Sequence, residues 1–185
     1  MTEQTTRKLH LSDRQQWIDT LQAGDCVLLS GTVYTARDAV HKKWMAHLAN
    51  GDPLPLDLSS AAVYYAGPTP APDSLPIGSC GPTTSSRMDV YYPALAEKGL
   101  RVTIGKGDRS ETVRRCIADT HGIYFCAVGG AGALCAMHIT AAEVVAYEEL
   151  GCESMKRLEF SEMPLYVAID SRGNSIFDRK GGEKS

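Results

Sequence analysis

The sequence predicts an α/β domain whose sheet is mainly parallel and gains an antiparallel part near its end. Short apolar runs alternate with segments of helical spacing through the first two thirds of the chain. Residues 143–150 and 156–160 instead alternate apolar with polar side chains, as antiparallel strands with one solvated face do. The 185 residues suffice for one domain with a buried core, placed at 1–178, before a charged tail at 179–185.

Local signals give the order of the elements. Ser12 can cap a first helix, and Asn50 to Pro53 can end a second. The predicted helices are 12–22, 36–49, the segment that follows the Gly-Pro-Thr-Thr loop at 81–84 up to about 98, and 109–120. The predicted strands are 26–31, 61–66, 77–80, 100–104, 123–128 and 165–170. The proline-rich stretch 67–76 predicts an irregular surface loop between them.

Composition excludes several classes of function. A formal net charge of −3 and a pI of about 5.9 give no reason to expect nucleic acid or an anionic membrane as partner. No apolar run reaches the roughly 20 residues of a membrane helix. The polar N-terminus has no signal-peptide core, so we expect a cytoplasmic protein. The six cysteines form no C-x-x-C pair and are expected to be small buried hydrophobes, so the chain itself offers no metal site.

Three loops that follow predicted strands each combine glycine with a cation. They lie at 31–38, 81–87 and 105–107, and their cations are Arg37, Arg87 and Lys106. Glycine lets the backbone approach a ligand, and the second loop adds hydroxyls and opens a predicted helix with free N–H groups. Ligands bind beyond the carboxyl ends of strands in such sheets. The three loops therefore predict a site for a small dicarboxylate, since arginine grips a carboxylate by a fork and lysine adds a point charge.

A plainer interpretation stays open for the same residues. Arg37 and Arg87 could be helix-surface residues that pair with Asp38 or Asp89, which contributes little. His41 lies one helical turn beyond Arg37, so a supporting or a surface role fits it better than catalysis. Two glycine patterns resemble nucleotide-binding motifs only superficially. Neither the 105–107 turn nor the 129–133 turn has phosphate-binding spacing, and the second is expected to be a packing turn.

Several blocks resemble one family. Residues 29–42 resemble the opening motif of the C-terminal domain of class I fumarases, which also begins the β subunits of two-subunit fumarases and L(+)-tartrate dehydratases. Further blocks match in the same order, at 81–89, 104–107, 127–131, 149–151 and 167–175. The likeness spans about residues 24–177, and several ordered blocks are more specific than any single one.

The resemblance implies a swivelling β/β/α domain with a parallel sheet, a smaller antiparallel sheet and a helical layer. It also implies a separate α subunit, or N-terminal domain, that holds a 4Fe–4S cluster through three cysteines. The active site would then lie between subunits, and the β subunit would be active only with its α subunit. We expect an α2β2 heterotetramer that acts on a small dicarboxylate of the tricarboxylic acid cycle.

By the same likeness, Arg37, Arg87 and Lys106 would bind the carboxylates of malate or fumarate, with Thr83 and Thr84 in the loop beside them. Thr83 matches a threonine proposed to move a proton, a role that needs strong activation of its hydroxyl. Asp38 is a second candidate acid or base, or it orients Arg37.

The substrate stays open at this point. The first hypothesis is the β subunit of a fumarate hydratase, which adds water reversibly to fumarate to give L-malate. The alternatives are a hydratase of the same kind for tartrate or mesaconate and, in another class, a non-catalytic dicarboxylate-binding module. Ser86 stands where fumarase-type sequences often have glycine, which could change the preference among substrates.

Overall fold

The computed structural model describes residues 6–127 and 132–178. The predicted glycine turn at 129–133 lies mostly outside this part of the chain, and the tail at 179–185 lies wholly outside it. The strands are β1 Arg7–His10, β2 Cys26–Thr35, β3 Ala62–Tyr64, β4 Val102–Gly105, β5 Ile123–Ala127, β6 Ile139–Ala146 and β7 Met155–Ile169. The α-helices are α1 Arg14–Trp17, α2 Asp38–Asn50, α3 Tyr92–Glu97, α4 Glu111–Thr120 and α5 Gly132–Met137.

The described strands form one mixed sheet with the order β1-β2-β3-β4-β5-β7-β6. The first five pair in parallel, and β7 pairs antiparallel with β5, β2 and β6. Because β7 bonds to both β5 and β2, the five strands β2, β3, β4, β5 and β7 close into a barrel. The α/β class with a mixed sheet is confirmed, but the parallel and antiparallel parts belong to one continuous sheet.

A bend in β7 allows this closure. The segments predicted separately at 156–160 and 165–170 belong to one strand of 15 residues. Glu162 takes a positive φ of 50°, and the register with β2 shifts between Leu29 and Gly31 in the same region. A bulge of this kind bends a strand and increases its twist. The bend lets the first part of β7 pair with β6 and the last part with β5.

The parallel strands bury both faces, which explains their continuous apolar runs. On β5, Ile123 and Phe125 join the cluster inside the barrel, whereas Tyr124 and Cys126 join a second cluster beneath the helices. Trp44 of α2 lies in this second cluster and is completely buried. None of the described helices is long and apolar enough to cross a membrane.

Three predicted elements differ from the structure. The helix predicted at 12–22 is split into the short α1 between two 3-10 turns. The strand predicted at 77–80 is irregular, because prolines at 76 and 82 remove backbone donors on both sides of it. The helix predicted after 81–84 begins as a 3-10 turn at Ser85–Met88, and α3 starts only at Tyr92. The hydroxyl-rich loop therefore does not open a long helix.

Candidate functional site

Neighbouring parallel strands bring the three predicted loops to the same edge of the barrel. The backbone N–H of Ala36, just after β2, donates to the carbonyl of Tyr64 at 3.1 Å. The N–H of Thr83 donates to the carbonyl of Tyr65 at 2.7 Å. The N–H of Ser85 donates to the carbonyl of Lys106 at 3.0 Å, after β4. The loops that carry Arg37, Arg87 and Lys106 are thus adjacent, as the strand order requires.

Arg87 joins the first two loops through an ion pair with Asp38. Its Nε lies 3.2 Å from Oδ1 of Asp38, and its Nη2 lies 2.7 Å from Oδ2. Its Nη1 donates to Oγ1 of Thr83 at 3.4 Å. The carboxylate of Asp38 therefore pairs with Arg87, and its role in orienting Arg37 stays a prediction. One side of the guanidinium is held by Asp38, while the Nη1 end lies beside the Thr83 hydroxyl.

Arg37 lies at the same edge but has another partner. Its Nη2 lies 3.1 Å from Oε1 of Glu153, in the 3-10 segment before β7. A Cβ at Gly67 would lie 2.8 Å from Nη1 of Arg37, so a larger residue there would displace the Arg37 side chain. The plainer interpretation, in which the two arginines pair with nearby carboxylates of the chain, is therefore correct for Arg87 with Asp38. Arg37 also pairs with a carboxylate, but a distant one in sequence.

Lys106 is fixed by its backbone, and its ammonium forms no ion pair with any described residue. Its N–H donates to Oγ of Ser85 at 3.1 Å. Thr84, which is exposed, forms an isolated parallel bridge with it. A Cβ on Gly105 would lie 1.9 Å from the same Ser85 oxygen, so only glycine fits before Lys106. The glycine and serine of the two loops together hold this cation at the barrel edge.

Sequence reasoning missed a buried cation behind the site, Arg109. Its side chain is fully buried, and its Nε lies 2.5 Å from Oδ1 of Asp89. Its guanidinium carbon lies 5.3, 5.1 and 5.0 Å from the ring centres of Tyr65, Tyr92 and Tyr124. The only signal in the sequence was the position of Asp89 at the end of the 81–89 block. Nothing local marks Arg109, because its cage comes from three separate elements.

His41 is also buried completely, so the surface role weighed for it is wrong. Its Nδ1 donates to the carbonyl of Arg37 at 2.9 Å, and its ring contacts Trp44, Tyr65 and Tyr91. Burial, with the nearby charge of Arg109, lowers the pKa of His41 to about 4. The ring is therefore neutral at pH 7 and supports the backbone from which the Arg37 side chain extends.

The thiols of this chain do not fit an iron–sulfur cluster. Within residues 6–127 and 132–178, no group of three His, Cys, Asp or Glu side chains could hold a metal ion. Cys80 is buried, and desolvation raises the pKa of its thiol to about 12. Cys126 and Cys135 are also buried, and burial raises the pKa of each above its usual value. A thiolate ligand needs the opposite shift.

Five cavities lined by described residues include none of the predicted site residues. One of them, a cleft of about 370 Å³, runs between the proline-rich loop and β6. Its lining includes Pro68, Ile77, Val144, Cys152 and Lys156, and none of the predicted site residues. The candidate site, as formed by the described residues, is thus a polar edge with fixed cations.

Comparison with known proteins gives the class of this chain. A family model described as the fumarase C-terminus matches residues 1–180. The chain therefore belongs to the fumarase C-terminus family, and the family predicted from the ordered sequence blocks is confirmed.

Relatives include longer proteins named fumarate hydratase and a protein of similar length named as a subunit. The chain is 34% identical over 167 residues to fumarate hydratase 2 of Leishmania major, which covers 89% of this chain and 29% of that protein. It is 36% identical over 153 residues to the aerobic class I fumarate hydratase of Escherichia coli (strain K12), covering 82% of this chain and 28% of the relative. The chain thus spans less than a third of these enzymes. It is 37% identical over 182 residues to a putative L(+)-tartrate dehydratase subunit beta of Methanocaldococcus jannaschii, covering 95% and 91% of the two chains.

Proposed function

We propose that this chain is the β subunit of a fumarate hydratase, in which it supplies the carboxylate-binding half of the active site. The observation that carries the proposal is the arrangement of Arg87. Asp38 holds its Nε side, so its Nη1 end stays beside Thr83. A guanidinium held along one side can still grip a carboxylate with its free N–H groups. The family membership of residues 1–180 supports a hydro-lyase over an unrelated anion-binding module.

Each of the three cations would contact a different part of the dicarboxylate. Arg87 would take one carboxylate of fumarate or L-malate, with the Thr83 and Thr84 loop beside it. Lys106, which has no carboxylate partner among the described residues, would add a point charge for the same dianion. Arg37 would bind the other end of the substrate, where it exchanges or shares its contact with Glu153.

Thr83 is our first candidate for moving the proton at the carbon next to the carboxylate. A threonine hydroxyl is a weak acid and a weak base, so it needs a neighbouring cation to favour its ionised form. Arg87 Nη1 donates to the Thr83 oxygen and leaves the hydroxyl hydrogen free for another acceptor. Asp38 is the second candidate, because its carboxylate lies against Arg87 and keeps lone pairs outside that contact that can accept a proton.

The chain would act only with a partner. We propose that an α subunit holds the 4Fe–4S cluster, that the site lies between the subunits, and that the pair assembles as an α2β2 heterotetramer. Two observations support this. The thiols described here do not fit a cluster, and a relative of matching length is described as a subunit beta. In this proposal the domain swivels against its partner, and its cytoplasmic location stays a prediction.

A second candidate is the β subunit of an L(+)-tartrate dehydratase. The observation in its favour is that the Methanocaldococcus jannaschii relative, which carries that description as putative, matches 91% of its own length. Ser86 is exposed next to Arg87, where its hydroxyl could meet the additional hydroxyl of tartrate. Mesaconate, a methylated dicarboxylate, is a further alternative of the same reaction class.

An anaerobic assay of the co-expressed αβ pair tests the proposal. Fumarate, L-malate, L(+)-tartrate and mesaconate are offered separately, and we expect the highest kcat/KM with fumarate and L-malate. A preference for tartrate would replace the first candidate by the second. Inactivity of the assembled pair on all four substrates would leave the binding module. Hydration of fumarate by the isolated chain without iron would contradict the divided active site.

Thr83→Ala and Thr83→Ser test the proton-transfer role within the active pair. We expect Thr83→Ala to lower kcat by about 10²- to 10⁴-fold, the usual contribution of general acid–base catalysis. KM should change much less, because the cations remain. Thr83→Ser keeps a hydroxyl and should retain part of the activity. A Thr83→Ala enzyme with unchanged kcat would exclude Thr83 and turn attention to Asp38.

A further inference from the structure

The loop that carries Arg87 has a buried anchor two residues further on, at Asp89. Oδ1 of Asp89 lies 2.5 Å from Nε of Arg109, and Oδ2 accepts from the N–H of Ser110 at 2.6 Å. Both partners belong to the segment that follows Lys106. Asp89 thus ties the Arg87 loop to the Lys106 loop with both carboxylate oxygens.

The same two loops are tied a second time, on the other side of Arg87, at Ser85. The N–H and the hydroxyl of Ser85 both bond to the backbone of Lys106. The phenol of Tyr124 donates to Oγ of Ser85 at 2.8 Å and also lies 2.8 Å from the carbonyl oxygen of Gly107. Since Tyr124 also forms one wall of the Arg109 cage, the two ties share a side chain.

The Arg109–Asp89 ion pair is buried at a cost in desolvation free energy. Arg109 is completely buried, and its terminal nitrogens Nη1 and Nη2 have no hydrogen-bond partner among the described residues. The tyrosine rings around it compensate only in part, through cation–π contacts. Buried ion pairs are often no more stabilising than apolar side chains of similar volume. Stability alone therefore does not explain why this charge pair lies here.

We infer that Asp89 and Arg109 are positioning residues that fix the distance between Arg87 and Lys106. Two cations held at a constant separation select a dianion of matching length, because each misplaced charge loses its contact. In this role Asp89 and Arg109 act through the backbone of the two loops and not by direct contact with the substrate. The selection of a dicarboxylate in this inference rests on the proposed function.

The test uses the full chain with its partner subunit. The main variant is the double substitution Asp89→Leu with Arg109→Met, which replaces the buried ion pair by apolar side chains and leaves no unpaired charge. Asp89→Asn and Arg109→Lys are milder variants that serve if the double variant does not fold. Asp178→Asn is the matched control, because it weakens a different arginine–carboxylate pair, with Arg114, whose side-chain hydrogen bonds reach neither of the two loops.

Two readouts separate positioning from mere stability. Hydrogen exchange is followed at the amides of Ser85 and Lys106, which bond to each other's loops, and at β4 and β5 as an internal reference. KM and kcat are measured with fumarate and L-malate. We expect at least about 10-fold faster exchange at the two loop amides and unchanged exchange in the strands. We also expect KM to rise about 10- to 100-fold, with Arg109→Lys intermediate and Asp178→Asn unchanged.

The outcomes are distinct. Unchanged loop exchange in a folded double variant would overturn the inference, and so would faster exchange with an unchanged KM. If the wild-type pair is inactive on every dicarboxylate, the proposed function fails, and the exchange data alone still decide whether the two residues fix the loops. A general acceleration that includes β4 and β5 would show that the pair serves the stability of the fold, which also contradicts the inference.

Discussion

Two arginine–carboxylate pairs lie on either side of the same loop and differ in their exposure to water. The side chains of Arg87 and Asp38 are 48% and 25% exposed, whereas those of Arg109 and Asp89 are 0% and 12% exposed. Their nearest atoms are similarly close, at 2.7 and 2.5 Å. The chemistry of the two pairs is therefore the same, and the surroundings differ.

This difference separates two roles. In water an ion pair gains little, and its arginine can exchange one carboxylate for another at small cost. Inside the protein, removal of either partner leaves a charge without solvent or counter-charge. The exposed pair is thus suited to receiving a substrate carboxylate, and the buried pair is suited to keeping the loop in place.

Arg109→Ala should have the largest effect on stability. It removes the buried cation, leaves Asp89 with only the Ser110 N–H, and opens a space between three tyrosine rings. We expect a loss of about 3–5 kcal/mol in the free energy of unfolding. Urea unfolding of the isolated chain measures it. A loss below about 1 kcal/mol would mean that the buried pair is no different from the exposed one.

Arg87→Ala should lower activity strongly and stability only slightly. We expect kcat/KM of the assembled pair to fall by at least about 100-fold, which corresponds to about 3 kcal/mol of binding to the transition state. Stability should change by less than about 1 kcal/mol, since the lost ion pair is exposed. Arg87→Lys keeps the charge without the fork and should recover part of the activity. An Arg87→Ala chain that unfolds while its folded fraction remains fully active would make Arg87 structural.

The position of the exposed Arg87 was predictable from the sequence, whereas the buried Arg109–Asp89 pair was not. Lys106 follows β4, and Thr83 and Arg87 lie in a glycine-containing loop that the backbone bond from Thr83 to Tyr65 places at the same edge. The cage of Arg109 depends on Tyr65, Tyr92 and Tyr124, which look like ordinary core residues until the fold brings them together. Local patterns carry no information about such long-range contacts.

The closure of the barrel was also not predictable from local sequence patterns. Alternation at 143–150 and 156–160 predicted antiparallel strands, and β6 and β7 are antiparallel. Nothing in that pattern indicated that β7 also pairs with β2, because a strand's partner is set by the geometry of the whole sheet. The bend at Glu162, a non-glycine residue with positive φ, has no distinctive signal in the sequence.

The buried His41 makes the stability of the chain depend on pH. Burial, with the charge of Arg109 nearby, lowers its pKa to about 4 from 6.5. Between about pH 6.5 and about pH 4, His41 is protonated in the unfolded chain but not in the folded chain. The free energy of unfolding therefore falls as the pH drops through this range. The gap corresponds to at most about 3 kcal/mol, and above pH 6.5 His41 adds no pH dependence.

His41→Phe keeps an aromatic ring among Trp44, Tyr65 and Tyr91 and removes the titrating group. We expect a shallower decrease of stability between pH 6.5 and 4, measured by urea unfolding at several pH values. The difference between variant and wild type isolates His41 from the carboxylates that titrate in the same range. A decrease as steep as that of the wild type would show that His41 does not resist protonation in the folded chain.

An exposed ion pair on the surface of α4 should contribute less to stability than the buried pair. Arg115 and Glu111 are 75% and 61% exposed, with Nε 3.0 Å from Oε1 one helical turn away. Arg115→Ala should cost no more than about 0.5 kcal/mol of stability, and this cost should shrink in 1 M salt because the charges are screened. The activity of the assembled pair should not change. If Arg115→Ala and Arg109→Ala destabilise the chain equally, burial does not distinguish the ion pairs of this protein, and the separate roles of Arg87 and Arg109 lose their physical basis.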